Sequence, residues 1–270
     1  SVALFLLTLP SVYAQNGAGI FDYGFEQRVR TENWNNAFDF SDSTDDQRNQ
    51  IRYRTKLLGN AALSKDIDVF VGLVQETNQI VLPRSPYRFD EVAVDNAYID
   101  FKKLFVKGLS LRVGRQNIMK GEGFLLLEGN PWDGSRSIYF NAANLAYSWK
   151  KSKLEFIGIS NPRTDRYLPK LHDRKRQLLE WNEQAVGTYY TDNNRKNTSL
   201  EAYYFYKKET YDRRPVTNYQ YRPDRHVNTG GGRAVQKFQH GWEATGEFAL
   251  QWGRQRPSTL KWRSALGLGI

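Results

Sequence analysis

The chain has 270 residues, with 39 Lys and Arg against 29 Asp and Glu for a formal net charge of +10, and 14% of it is aromatic. That much Trp, Tyr and Phe excludes a solvated disordered chain, and no stretch after residue 14 reaches the ~20 apolar residues of a membrane-spanning helix. Cysteine is absent and His172, His226 and His240 lack metal-ligand spacing, so disulfides, Cys nucleophiles, a metal and a cofactor are not expected.

The first fourteen residues are a different object from the rest of the chain. Residues 1–9 are almost wholly apolar, Pro10 interrupts them, and Val12-Tyr13-Ala14 places small residues where a signal peptidase cuts. Residues 1–14 are therefore expected to be an N-terminally truncated signal peptide, with residues 15–270 forming a single exported β-domain.

From residue 20 onward the pattern has period two, which a strand converts into two unlike faces. Phe21, Tyr23, Phe25 and Val29 alternate with Asp22, Glu26, Arg28 and Arg30. Ile51, Tyr53, Thr55 and Leu57 alternate with Gln50, Arg52, Arg54 and Lys56. The same holds over 67–74, over 109–114 and, near the end, over 242–252 and 260–268. Weaker alternation runs through 91–101, 138–148, 153–159, 185–191, 199–207 and 232–238. The total is about twelve strands, many near the ~10 residues of a tilted membrane strand.

Connections alternate as well. Those near 34–46, 79–90, 117–136, 160–184 and 208–230 are long, and those near 63–66, 102–108, 149–152 and 192–197 are short. This is the parity of an outer-membrane barrel, with periplasmic turns on one side and extracellular loops on the other. The connection at 254–258 looks short where a long one is due. Residues 174–184 have a helical look inside one long connection. Trp34, Tyr98, Trp149, Trp242 and Trp252 near strand ends fit interfacial girdles. Alternation alone also fits a secreted soluble sandwich; the leader, the parity and the aromatics favour lipid.

Several segments resemble the alginate-export family of outer-membrane β-barrels. They are Phe25–Arg30 with Arg52–Leu57, Val94–Phe101 with Leu111–Gln116, Asn130–Arg136, and Trp242–Gly253. The resemblance implies an all-β, antiparallel transmembrane barrel in the bacterial outer membrane that exports an anionic polysaccharide. It also implies periplasmic export components as partners. Family barrels have roughly eighteen strands, so the chain is expected to be a piece of a larger barrel.

With the charged faces inward, the expected pore lining is Arg28, Arg30, Arg52, Arg54, Lys56, Arg112, Arg136 and Arg263, interrupted by Glu26, Asp95, Asp100 and the wall partners Glu243 and Glu247. Arg115 is counted with them, its direction depending on where strand geometry ends after Gly114. A guanidinium matches a carboxylate with a rigid two-pronged fork at any physiological pH. Sites that pass a polyanion must be weak and repeated, or it would never leave. The alternative role for each arginine is bracing the wall against a neighbouring acid. The function expected is an anion channel for alginate-like polyuronate or other acidic solutes, with membrane lipid as a partner. A general small-solute porin and a secreted basic polyanion-binding β-protein are the alternatives. No strand pairs a His with a nucleophile, so an enzymatic barrel is not expected, and the loop parity argues against a nucleic-acid binder.

Overall fold

The computed structural model describes residues 6–8, 12–14, 20–34, 47–87, 92–127, 140–168, 171, 181–210, 224–256 and 265–269. In chain order the elements are β1 (Leu6–Thr8), β2 (Val12–Ala14), β3 (Phe21–Trp34), β4 (Arg48–Ser64), β5 (Ile67–Leu82), β6 (Val92–Phe101) and β7 (Leu109–Gln116). A small hairpin follows, β8 (Met119–Lys120) and β9 (Leu126–Leu127). Then come β10 (Phe140–Trp149), β11 (Ser152–Asn161), β12 (Asn182–Asp192), β13 (Thr198–Thr210), β14 (Asp224–Lys237), β15 (Glu243–Arg256) and β16 (Ala265–Gly269). Strands β3 to β7 and β10 to β16 are the twelve that the alternation predicts.

These twelve form one antiparallel meander in which each strand pairs with the next, and β8–β9 stand apart from it. Local pairing needs only short turns and gives the backbone N–H and C=O groups of the interior strands their partners, the condition for crossing hydrocarbon with strands. Strands β1 and β2 lie along the other edge of β3, with Leu6 opposite Arg30 and Ala14 opposite Tyr23. Among the described residues the sheet is an open path, with no ladder joining β16 to β3.

Connection parity holds throughout. Five short connections (65–66, 102–108, 150–151, 193–197 and 238–242) lie on one side and the long ones on the other. Three boundaries differ from the sequence reading. Strand β15 runs on to Arg256, so the following connection is 257–264, on the long side where parity puts it; it lies outside the described residues. Strand β14 begins at Asp224 rather than near 232, so His226 is a strand residue; its Nδ1 is hydrogen-bonded with the Tyr206 hydroxyl. The cause is the Gly230–Gly232 run, which carries no side chains to alternate. At Gly231 a Cβ would stand 2.7 Å from the Tyr203 ring, so the gap in the pattern is the space that ring occupies. Third, Asn182 to Gln184 of the helical-looking patch belong to β12, while residues 172–180 lie outside the described residues.

The two faces are unlike, as expected. One register row runs Ile99, Val113, Ala143, Gly158, Val186 and leaves Val113 and Val186 exposed. Phe21, Tyr23, Phe25, Leu57, Val71 and Phe156 are exposed on the same face. In water so continuous an apolar surface would be an aggregation hazard; against lipid it is the stable arrangement. Tyr147, Trp149 and Tyr190 stack at its turn-side margin, with ring centroids 5.5 and 5.9 Å apart, and Trp242 and Trp252 are exposed nearby and at the far margin. Tyr98 departs from the expected girdle. It lies on the polar face, stacked on Phe70 at 5.1 Å.

Candidate functional site

The polar face begins with the β3–β5 wall. Register places Glu26 opposite Lys56, Arg28 opposite Arg54 and Arg30 opposite Arg52, so the five expected bases share one face. Opposed like charges are tolerated because carboxylates are set diagonally between them. Arg54 binds Glu26 at 2.7 Å, Arg30 binds Glu32 at 2.5 Å, and Arg52 approaches the same Glu32 at 3.2 Å. Gln50 donates to Glu32 as well, and Asn78 donates to Gln50 at 2.9 Å, carrying the network onto β5.

Asp95 reaches this network through a β-bulge. Between β5 and β6 the register steps from Gly72 opposite Asn96 to Leu73 opposite Val94, leaving Asp95 as the extra residue. A bulge re-aims a side chain that strict alternation would send to the other face. Asp95 is thereby brought to Lys56, whose Nζ donates to its Oδ2 at 2.8 Å, and the carboxylate is only 1% exposed. Removing one partner of such a buried pair strands the other charge, at a cost of about 3–5 kcal/mol.

A second group lies farther along the sheet. Arg112 of β7 meets Asp100 of β6 at 2.5 Å, and its guanidinium lies 4.4 Å over the Tyr98 ring. Lys102 binds Asp68 at 2.7 Å and Lys153 binds Glu155 at 3.0 Å. Together with Ser110, Asn144 and Gln116 these bases border a cavity of about 430 Å³. Their side chains remain 39%, 50% and 45% exposed for Arg112, Lys102 and Lys153, where Arg54 is 4% exposed. Each base here keeps donors turned to water.

The connection after β7 closes one side of this cavity. Residues 117–127 fold back over the polar face instead of extending away from the sheet. Ile118 is buried against Phe140, Ile157, Ile159, Tyr189, Tyr203 and Ala249, with Leu125 and Leu126 packed beside it. Burial of an aliphatic side chain of that size stabilises by about 2 kcal/mol. Two ion pairs hold the ends of the turn: Lys120 with Glu155 on β11, and Glu122 with Arg233 on β14 at 2.8 Å. Gly121, at φ +57°, lies between them, and a Cβ there would come 3.0 Å from Arg233 Cδ. Only glycine takes that backbone conformation without strain while lying so close to a side chain. The segment thus spans from β11 to β14 across the inner face and narrows the space above it.

The wall beneath the segment is also paired. Arg233 meets Glu201 at 3.1 Å, Lys207 meets Glu183 and Glu209 at 2.8 and 2.9 Å, and Tyr203 donates to Glu247 at 2.9 Å. Sequence reasoning named Glu247 as a wall partner and missed Arg233, Lys207 and Glu201. Their strands alternate weakly because aromatic residues occupy both faces of β13.

Arg115 does not join Arg112. It belongs to the register row of Ala97 and Asn141, three residues along the strands from the Arg112 row, and its guanidinium is taken up by Asp165 from the next long connection, at 2.7 and 2.8 Å. Further bonds run to the Val94 carbonyl and Asn141 Oδ1, both at 3.0 Å. This arginine ties a loop to the rim, and no part of it remains open to solvent. Arg136 and the Asn130–Arg136 motif lie outside the described residues, as do His172 and Arg263. Among the described residues no group of His, Cys, Asp or Glu is placed to hold a metal ion.

A two-faced antiparallel meander, with turn and loop sides distinct and a charged inner face narrowed by an in-folded segment, has the architecture of an outer-membrane transport barrel. No individually curated protein matches the chain. The family model for alginate export matches residues 20–269, nearly all of it. The chain belongs to the alginate export family, a family of outer-membrane transport β-barrels.

Proposed function

We propose that the protein is a channel that passes acidic saccharides, alginate-like polyuronates among them, across the outer membrane. Its selectivity resides in the half-exposed bases beside the in-folded segment. The observation that carries this reading is the contrast in exposure between Arg112, Lys102 and Lys153 on one hand and the buried Arg54 and Lys56 of β4 on the other. A base already paired but still open to water offers a carboxylate a second, weak partner. Weakness is what transport requires, since a polymer held by many strong sites would not move on. Arg28, Arg30, Arg52, Arg54 and Lys56, with Glu26 and Asp95, act in this reading as the frame of the wall. Residues 1–14 serve as the export signal that brings the chain to this membrane.

The test is planar-bilayer conductance with oligouronates as blockers. The wild type is expected to prefer anions and to show brief block, and Arg112→Gln with Lys153→Gln to weaken block roughly ten-fold, about 1.4 kcal/mol. Cation preference, or conductance indifferent to oligouronates, contradicts the proposal.

A further inference from the structure

The inner face does not account for the net charge of +10, because its bases are matched by Glu26, Glu32, Asp95, Asp100, Glu155, Glu201 and their neighbours. The long connections nearly cancel too, with fifteen bases against thirteen acids over 35–47, 83–91, 117–139, 162–181, 211–223 and 257–264. The excess lies on the turn side. Leaving aside the cavity bases Lys102 and Lys153, residues 64–67, 103–108, 149–152, 192–198 and 237–243 carry eight bases and three acids.

These turns are joined to one another by the backbone. Lys102 N–H donates to Asp66 O at 2.8 Å, Ser148 N–H to Gly108 O at 2.8 Å, Asn193 N–H to Lys151 O at 3.0 Å and Lys237 N–H to Asn197 O at 2.8 Å. The result is a continuous collar whose turn backbones are held side by side. One position of it is kept against its local preference: Lys150, at φ +49°, occupies a left-handed turn conformation that suits glycine or asparagine better.

On the collar, a cleft of about 460 Å³ is lined by Lys151, Arg195, Lys196 and Lys237. Ser199 and buried Val235 also line it, register partners one same-face pair toward the turn from Glu201 and Arg233 on the inner face, so the cleft opens toward the channel. Among the described residues no carboxylate lies within ion-pair distance of Lys151 or Lys196. The acid beside Arg195 is Asp192, which already accepts from Asn194 N–H at 3.0 Å and from the Ser152 hydroxyl at 3.1 Å. The Lys237 ammonium has one distant partner, Glu243 at 3.7 Å.

We propose that this basic collar is a capture site for acidic saccharide chains at the turn-side mouth, loading the polymer before it reaches Arg112. The inference rests on the function proposed above and adds direction to it. A pre-organised cluster of one sign at a mouth raises the arrival rate of the oppositely charged solute by 10- to 1,000-fold, an effect that salt suppresses. The collar thus acts on association, while the cavity at Arg112 governs dwell time.

The experiment is sided block of the full-length protein in planar bilayers, with mannuronate oligomers added to one chamber at a time. In Lys151→Gln, Arg195→Gln, Lys196→Gln the rate of block from the turn side is expected to fall about ten-fold at low salt. Dwell time and block from the loop side are expected to stay as in the wild type, and the exchange Lys151→Arg, Arg195→Lys, Lys196→Arg to restore the rate. A turn-side rate unchanged by the triple variant overturns the collar and leaves the channel reading intact. The collar is also overturned if the variant blocks normally but loses retention on vesicles containing phosphatidylglycerol, because the charges then serve lipid headgroups. A conducting wild type that is blocked from neither side overturns both.

Discussion

On the β3–β5 wall Arg54 and Lys56 are buried and bonded to Glu26 and Asp95, whereas beside the in-folded segment Arg112, Lys102 and Lys153 are bonded to acids and still half open to water. The two regions use the same kinds of side chain, mid-strand on the wall and at or near the turn side at the cavity. What separates them is covering. The wall bases are enclosed by neighbouring strands and by an acid brought in through a bulge, while the cavity bases look onto open space. Desolvated charges are committed to their partners, and half-solvated ones remain available to a passing anion. The number of arginines on a face is therefore a poor guide to where an anion is handled.

The comparison breaks most visibly at the buried pair. Asp95→Leu leaves Lys56 charged and enclosed, and a loss of about 3–5 kcal/mol is expected. It would be read as a lower temperature at which detergent-extracted protein loses its heat-modifiable gel mobility, with anion preference unchanged in whatever folds. A stability close to wild type would mean that Lys56 reaches water by itself. The in-folded segment comes next. Ile118→Ala removes the anchor that holds residues 117–127 over the inner face, a loss of about 2–4 kcal/mol in local packing. Single-channel conductance is expected to rise and become noisier, and an unchanged conductance would show that the segment does not narrow the path. At the small end, Arg112→Gln should shift stability by no more than about 1 kcal/mol, since its ion pair is partly solvated, while still weakening oligouronate block.

Much of this organisation was legible in the alternation of single residues. The β3 and β4 rows and the side on which all but the last connection lies follow from period two and connection length. Three features were not, each for a physical reason. Asp95 and Asp100 differ in parity, and only the bulge at Gly72 and Leu73 puts both with bases on the polar face. The in-folded segment owes its position to Ile118, which joins a buried cluster that reaches residues as distant as Ala249, and no local pattern encodes that. Arg115 follows Arg112 by three residues and looks equivalent to it, yet Asp165 claims it from the next long connection. In each case a partner remote in sequence decides what the residue does.

All of these assignments require that the Arg112 row faces the channel and the Val113 row faces lipid. The absence of native cysteine permits a direct measurement with single substitutions. Ser110→Cys and Asn144→Cys lie on the inner rows beside the cavity, and Val113→Cys and Phe156→Cys on the exposed apolar face. In the protein reconstituted into bilayers, a charged, membrane-impermeant maleimide is expected to label the first two readily and to leave the second two unmodified until detergent is added. Rapid labelling at Val113 and Phe156 with protection at Ser110 and Asn144 would contradict the account.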